Sequence, residues 1–466
     1  MLFNSLPFLL FFPVVCAIVW SLKNLRARNT FLLLASYFFY MNWEPKYGLL
    51  LAFCSIVTYG GALYFSRTGK KPIFVATIVT LVSSLFFFKY LDFAAVTVTS
   101  IFEKLGVIIS IPLPKFLLPV GISFYTFQAI GYLVDVYKRK IPAEKNFIDF
   151  TLFISFFPQL VAGPIERAGN LLGQMKKLHR FEHADVSIGA RQMLWGYFLK
   201  LVVADRLALY SDSIFNMPAE HNSSSLVIAI IFFSVQIYCD FAGYSLIAIG
   251  CSRMMGFRLM KNFDSPYFSC SISEFWRRWH ISLSKWLKDY IYIPLGGNRC
   301  SPLRHKINIL LTFFISGIWH GANWTYIIWG TLHGIFQVFE KFTGLDKPRC
   351  HLIGRIFQRL VTFAVAAFAW IFFRANNLDE AILIVKKLFD IHGYGMPFID
   401  NMSMMAFSLI AIFILFSKDF TDTFLPRQKE WILKSPIRRY ALYLMICSWI
   451  LIAGVFDNGQ FIYFQF

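Results

Sequence analysis

The chain is a succession of apolar runs, and each run is separated from the next by a short polar segment rich in Lys and Arg. A helix needs about 20 apolar residues to cross the hydrocarbon layer of a bilayer, and several runs reach or approach that length. Together with shorter or interrupted runs, they predict roughly ten to twelve spanning or half-spanning helices. The clearest runs are residues 2–20, 47–65, 73–90, 117–137, 225–251, 324–339, 357–373, 404–416 and 440–455.

The basic clusters between these runs predict an orientation. Loops 23–29, 66–72 and 138–146 carry the strongest clusters, and Lys and Arg favour the cytoplasmic side of a membrane. They fall in alternate loops if the short run 31–41 also crosses, which places the N-terminus outside. The first run lacks a basic leader and a small-residue cleavage site, so we expect a retained helix and not a signal peptide. After residue 190 the alternation is too irregular to orient the C-terminus.

Three apolar regions have features that a simple spanning helix avoids. Residues 147–163 are interrupted by proline and glycine, which predicts a broken or re-entrant segment. Residues 188–210 contain both basic and acidic side chains, which predicts a tilted or partly interfacial helix. Asp240 is a carboxylate at membrane depth. We expect it to be paired with an Arg in helix packing, although a functional role is the alternative.

Composition adds the class of protein. Of the 466 residues, 57% are hydrophobic and 15% are charged, which is typical of a multi-pass membrane protein and unlike a soluble domain. The formal net charge of +19 comes from loops that would face anionic lipid, and no separate basic domain points to nucleic acid. The eight cysteines show no metal-binding spacing. We therefore expect a single integral-membrane domain over residues 1–466 and no metal site.

In residues 274–324, histidines and cationic side chains lie among the apolar positions. Aromatic and leucine side chains recur at three- and four-residue steps over residues 273–290, which predicts one helix with an aromatic face opposite a cationic face. Such a helix suits the headgroup layer of a membrane or a position just below it. His280 lies one turn after Trp276, and therefore at the aromatic face.

His320 ends a second apolar run, which begins at Ile307. An ionisable side chain at membrane depth usually faces the protein interior or a cavity. A neutral imidazole is the least costly titratable group to bury there, and it can accept a proton as a general base. The alternative is a core histidine bonded to a backbone carbonyl. For His305 and His333 we expect structural roles only.

Five segments together resemble a known family: FFPQLVAGPI, DFAGYSLIAIG, EFWRRWHISLSKWLKDYIYIPLGGNR, SGIWHGANWTYIIWG and the terminal FIYFQF. They are similar to the membrane-bound O-acyltransferases, and within these to the bacterial branch typified by alginate O-acetyltransferase. The resemblance implies an all-α bundle of about ten to twelve transmembrane helices, with re-entrant and interfacial helices around a central tunnel. It also implies acyl transfer from a thioester to a hydroxyl, with His320 matching the family's catalytic histidine and His280 its companion.

The implied reaction needs a base, and a donor for the oxyanion of the tetrahedral intermediate. Neutral His320 would supply the base. His280, the indole N–H of Trp279 or Asn323 would serve as the donor, and the sequence does not choose among them.

The implied donor substrate is acetyl-CoA, which carries phosphates and arrives from the cytoplasm. Arg277, Arg278 and Lys288 are the cations that we expect to bind it, and contact with lipid headgroups is the alternative for each. Further cations nearby are Lys285, Arg299, Arg304 and Lys306. No tightly bound cofactor is expected.

These inferences predict an acetyltransferase of the bacterial cytoplasmic membrane that moves acetyl to an exported polysaccharide, directly or through an extracytoplasmic partner protein. Alginate, cellulose and peptidoglycan acceptors would look alike in this sequence. The LGGNR segment and FIYFQF favour acetyl transfer over a D-alanyl or other acyl transfer to teichoic acid. A transporter or flippase is the alternative from another functional class.

Overall fold

The structure, a computed structural model, describes residues 1–107, 118–161, 163–349, 351–456 and 462. All regular secondary structure in these residues is helical, which confirms the all-α class. The chain groups into two compact units. The first contains Met1–Ala190 and Ala248–Met260, and the second contains Arg191–Ile247 and Lys261–Phe466. Of the terminal motif FIYFQF, only Ile462 is described.

The first unit is built from apolar helices that follow each other closely along the chain. One predicted break is confirmed: the backbone leaves the helical conformation at Phe156, because Pro158 permits a new helix start but cannot continue the old helix. The helices are α1 (Leu6–Ser21), α2 (Leu25–Met41), α3 (Tyr47–Thr68), α4 (Lys71–Lys89), α5 (Leu91–Lys104), α6 (Ile122–Tyr137), α7 (Phe147–Ser155), α8 (Phe157–Leu160), α9 (Ala168–Met175) and α10 (His183–Tyr197), whose second half belongs to the other unit.

The second unit contains both histidine-bearing segments. Two π-helical segments, Phe198–Ala204 and Lys288–Tyr292, interrupt its α-helices, and Pro266–Phe268 forms a 3₁₀ turn. The α-helices are α11 (Asp205–Phe215), α12 (Ser223–Met254, grouped with this unit as far as Ile247), α13 (Ile272–Arg278), α14 (Ile281–Leu287), α15 (Pro302–His320), α16 (Trp324–Thr343), α17 (Leu352–Arg374), α18 (Leu378–Phe389), α19 (Met402–Phe424), α20 (Pro426–Lys434) and α21 (Pro436–Ala453).

Six helices in the described residues are long and apolar enough to cross a membrane: α3, α4, α12, α17, α19 and α21. Each covers most or all of one of the runs predicted from the sequence. A chain with several such helices is a multi-pass membrane protein. The finer count of ten to twelve helices, the central tunnel and the orientation of the loops stay predictions.

A cluster of buried charges joins the π-helix Phe198–Ala204 to α12. The ammonium of Lys200 lies 2.7 Å from Asp205 Oδ1 and 2.8 Å from Asp240 Oδ1. The expected partner of Asp240 was an Arg, and that prediction is wrong. Gly196 and Gly243 let the two backbones come close enough for this, since a Cβ on Gly196 would lie 2.7 Å from the carbonyl oxygen of Gly243.

Candidate active site

The predicted continuous helix over residues 273–290 is wrong, because the backbone breaks at His280. Helix α13 ends at Arg278, Trp279 is extended, and His280 has φ 40° and ψ 55°, in the left-handed region. A non-glycine residue in this region costs about 1–3 kcal/mol, and such residues concentrate at functional sites, where the surrounding structure holds them. The backbone conformation at the break therefore supports a functional role for His280.

His280 is held by a buried amide. Its Nδ1 lies 3.2 Å from Asn262 Oδ1, which also accepts hydrogen bonds from the Ser282 N–H at 3.2 Å and from the Ser282 hydroxyl at 2.9 Å. Because an oxygen that accepts these bonds can only accept from the imidazole as well, the proton of a neutral His280 ring is on Nδ1. Its Nε2 then carries the lone pair.

The surroundings of the His280 ring are aromatic. The ring is fully buried and lies edge-on to Phe241, with 4.5 Å between centroids. Further ring neighbours include Phe263 and Trp319, with centroids at 6.4 and 6.0 Å. An apolar environment of this kind disfavours a charged imidazole and favours the neutral form that can accept a proton.

His320 is fixed in the same tautomer by different means. It is the last residue of α15, is 2% exposed, and donates from Nδ1 to the carbonyl of Ser316, one turn earlier, at 2.7 Å. The lone pair of the neutral ring is again on Nε2. The rings that lie edge-on to it include Trp329 at 4.6 Å, Trp319 at 4.8 Å and Phe373 at 5.7 Å between centroids. Trp319 thus contacts both imidazoles, and the structure brings the two predicted histidines into one site.

The turn that follows His320 is positioned by close packing of α15 against α16. A Cβ on Gly317 would lie 2.4 Å from the carbonyl oxygen of Tyr326, and a Cβ on Gly330 would lie 2.4 Å from that of Phe313. Backbones approach this closely in membrane proteins where small residues face each other. The position of the His320 ring therefore depends on two glycines that have no chemistry of their own.

Asn323 has a visible structural task. Its side-chain oxygen accepts from the Thr325 N–H at 3.1 Å and caps α16, while its amide donates to the Asn376 carbonyl at 3.1 Å. The predicted role in substrate binding is not tested by these contacts and stays a prediction. Trp279 differs, because it is fully buried and no acceptor in the described part of the chain lies within hydrogen-bond distance of its indole N–H.

The predicted cations separate into two groups. Arg277 and Lys288 line an open cavity of about 300 Å³, together with Lys341, which the sequence did not single out. Arg278 does not line this cavity. It forms an ion pair with Glu274 at 2.8 Å. The apolar wall of the cavity includes Trp276.

Trp276 connects this cavity to a third histidine. Its indole N–H donates to Nδ1 of His333 at 3.2 Å, so the His333 proton is on Nε2, opposite to the arrangement in the two histidines above. The His333 ring contacts Trp329 with 5.2 Å between centroids, and Trp329 contacts His320. The hydrogen bond from Trp276 is a structural contact, and the structural role expected for His333 stays a prediction.

Comparison with known proteins assigns these features to a family. Residues 138–376 match the model of MBOAT, the membrane-bound O-acyltransferase family. The chain is 40% identical over 397 residues to the probable alginate O-acetylase AlgI of Pseudomonas aeruginosa, covering 84% of this chain and 75% of the relative. It is 32% identical over 528 residues to the peptidoglycan O-acetyltransferase of Helicobacter pylori, covering 100% and 98%.

A more distant similarity covers less of the molecule. The teichoic acid D-alanyltransferase of Bacillus subtilis is 30% identical over 244 residues, which is 48% of this chain and 60% of the relative. Both buried histidines lie inside the residues that match the family model. These matches show that the chain belongs to the membrane-bound O-acyltransferase family and is an acyltransferase.

Proposed function

We propose that this protein is an O-acetyltransferase of the bacterial inner membrane that moves acetyl from cytoplasmic acetyl-CoA to an exported polysaccharide. The observation that carries the proposal is the pair of buried imidazoles, His280 and His320, which both contact Trp319 and both keep the proton on Nδ1. Each ring therefore presents a basic Nε2 inside an aromatic site, where acyl transfer to a hydroxyl needs a base.

In this mechanism His320 is the base. Its Nε2 takes the proton of the acceptor hydroxyl as the oxygen attacks the thioester carbon. The tetrahedral intermediate then collapses, the C–S bond breaks, and the thiolate leaves and receives the proton from the imidazolium. The bond from Nδ1–H to the Ser316 carbonyl keeps the ring in one tautomer throughout. A positioned base of this kind contributes about 10²–10⁴-fold in rate.

Of the three donors that the sequence offered, Trp279 is the best supported for the oxyanion. Its buried N–H has no acceptor in the described part of the chain, whereas the side chain of Asn323 already bonds at both ends. His280 would donate from Nε2 only after taking a second proton, because its Nδ1–H is bonded to Asn262. We assign His280 to binding the hydroxyl or the leaving thiol through its lone pair, and the donor role to Trp279.

The cationic cavity is the proposed site for the phosphates of the donor. Arg277, Lys288 and Lys341 lie around a space of about 300 Å³, at the lower end of the range for small-molecule sites. Trp276 forms one wall and hydrogen-bonds to His333, so the cavity borders the aromatic cluster that contains His320. Phosphate binding here would direct the thioester toward that cluster.

The acceptor follows from the relatives. Those that cover most of the chain are named as O-acetyltransferases of alginate or peptidoglycan, both exported polymers, whereas the D-alanyltransferase covers about half of it. We propose a polymer of that kind as the acceptor, reached directly or through a partner acetyltransferase outside the membrane. The six helices in the described residues that are long and apolar enough to cross a membrane support a membrane location.

The test uses His320→Ala in the full-length protein, with His305→Ala in the first turn of the same helix as a control. O-acetyl content of the exported polymer and membrane abundance are measured together, and the purified variants are incubated with labelled acetyl-CoA. We expect His320→Ala to reach normal abundance with background acetylation, and His305→Ala to match the parent. Substantial acetylation by His320→Ala at normal abundance would show that His320 is not the base.

A further inference from the structure

We propose that Asn262 is a positioning residue for His280: it holds the ring in one tautomer without adding a charge that would favour protonation. This rests on the role proposed above for His280. Asn262 is 1% exposed and lies in the irregular segment that follows α12. Its backbone carbonyl accepts from the Ile281 N–H at 2.8 Å, so both the main chain and the side chain of Asn262 contact the break at His280.

The amide of Asn262 is itself fixed in orientation. Its Nδ2 donates to the Ser245 hydroxyl on α12 at 3.0 Å, and its Oδ1 accepts from the main chain and the side chain of Ser282. A flipped amide would direct N–H groups at the Ser282 N–H, which cannot accept. The oxygen must therefore face His280, and the Nδ1–H tautomer follows.

The chemical type of this partner is informative. In hydrolase triads a carboxylate orients the histidine and stabilises the imidazolium that forms. Here the acceptor is a neutral amide, which orients the ring in the same way but does not favour its charged form. The ring neighbours Phe241, Phe263 and Trp319 carry no charge, and His320 is a titratable group that interacts electrostatically with His280. Asn262 thus supplies orientation without charge.

The first experiment is a double-mutant cycle with Asn262→Leu and His280→Asn, measured as O-acetyl content of the exported polymer per unit of membrane-inserted protein. Asn262→Leu should lower activity about 10- to 100-fold, the loss seen when the partner that orients a histidine is removed. In the His280→Asn background the same change should cost little more, because Asn262 acts through the ring. Asn308→Leu, which removes another buried amide, serves as the control and should keep parental activity per inserted protein.

The second experiment uses Asn262→Asp, which keeps the shape and the acceptor and adds a charge. A carboxylate stabilises protonated His280, so the acid limb of the activity profile should move to higher pH when acetyl-CoA consumption by purified protein is followed between about pH 5 and pH 9. A purely structural role would change abundance or thermal stability and leave the limb in place. This variant keeps the proposal testable if Asn262→Leu fails to fold.

The outcomes separate this inference from the proposed function. Full additivity of Asn262→Leu and His280→Asn, or an unmoved acid limb in Asn262→Asp, would overturn the positioning role, while reduced activity of the histidine variants would still support the proposed function. If His280→Asn and His320→Ala both keep parental activity, the proposed site itself falls, and the role of Asn262 falls with it. Non-additive losses of activity together with a shifted acid limb support both the positioning role of Asn262 and the proposed function.

Discussion

Replacing Lys200 by methionine tests how the second unit holds its buried charges. The ammonium is 1% exposed and lies between the carboxylates of Asp205 and Asp240, which are 9% and 4% exposed. Lys200→Met keeps the length and apolar stem of the side chain but leaves two buried carboxylates without their shared cation. Breaking a buried ion pair in this way costs about 3–5 kcal/mol. We expect the lower end, because one carboxylate can take up a proton when two share a site.

The matched variant combines Lys200→Met with Asp205→Asn and Asp240→Asn. It removes the same ammonium but leaves no buried charge, and replacing a whole buried cluster by neutral groups is often nearly neutral in stability. The amide oxygen introduced by Asp240→Asn can also accept the hydrogen bond that the Ile462 N–H donates to Asp240 Oδ2 at 2.7 Å.

The assay is unfolding of the purified full-length protein in detergent, followed by tryptophan fluorescence. Lys200→Met should unfold well below the parent, and the triple variant should recover most of the difference. The difference in stability between the single and the triple variant should become smaller at lower pH. Protonation of the carboxylates removes the unpaired buried charges that Lys200→Met leaves. Equal stability of Lys200→Met and the parent, or a triple variant less stable than the single one, would refute the reasoning.

Three further predictions concern the site and the orientation of the chain. Gly317→Ala should lower both abundance and acetylation, since its Cβ would lie 2.4 Å from the Tyr326 carbonyl, whereas Gly60→Ala, with open space around it, should match the parent in an abundance blot. Lys341→Ala should raise the KM for acetyl-CoA by about 5- to 30-fold with a smaller change in kcat, because it removes one charge-assisted contact to phosphate. An unchanged KM would exclude the cavity as the phosphate site. A single cysteine at Lys70 in a cysteine-free background should resist an impermeant thiol reagent in intact cells and react after lysis; labelling of intact cells would reverse the orientation.

The apolar runs predicted most of the long helices correctly, because the lipid around a membrane helix restricts which sequences can form it. A helix that crosses lipid must satisfy its backbone internally and present apolar side chains, so its sequence alone identifies it. The break in residues 147–163 was visible in the same way, because a proline inside an apolar run changes the local backbone. His280 and His320 stood out because ionisable side chains are costly in such runs, and the motifs around them pointed to the family before any geometry was known.

The contacts that define the site came only with the tertiary structure. The periodicity of residues 273–290 predicted one helix because Trp279 and His280 fit its apolar pattern. The hydrogen bonds that His280 and Ile281 donate to Asn262 hold His280 in a left-handed conformation, which periodicity does not predict. Asn262 lies 18 positions earlier, in an irregular polar segment.

The partner of Asp240 and the third cation of the cavity were hidden for a related reason. A carboxylate in an apolar helix predicts that some cation is near, but the close approach of Gly196 and Gly243 selected Lys200. Likewise, Lys341 at the end of α16 joins Arg277 and Lys288 around one cavity through the packing of separate helices. Hydropathy and the spacing of apolar residues indicate which side chains each segment must bury. Which side chains meet across segments is decided by packing, and packing depends on the whole chain.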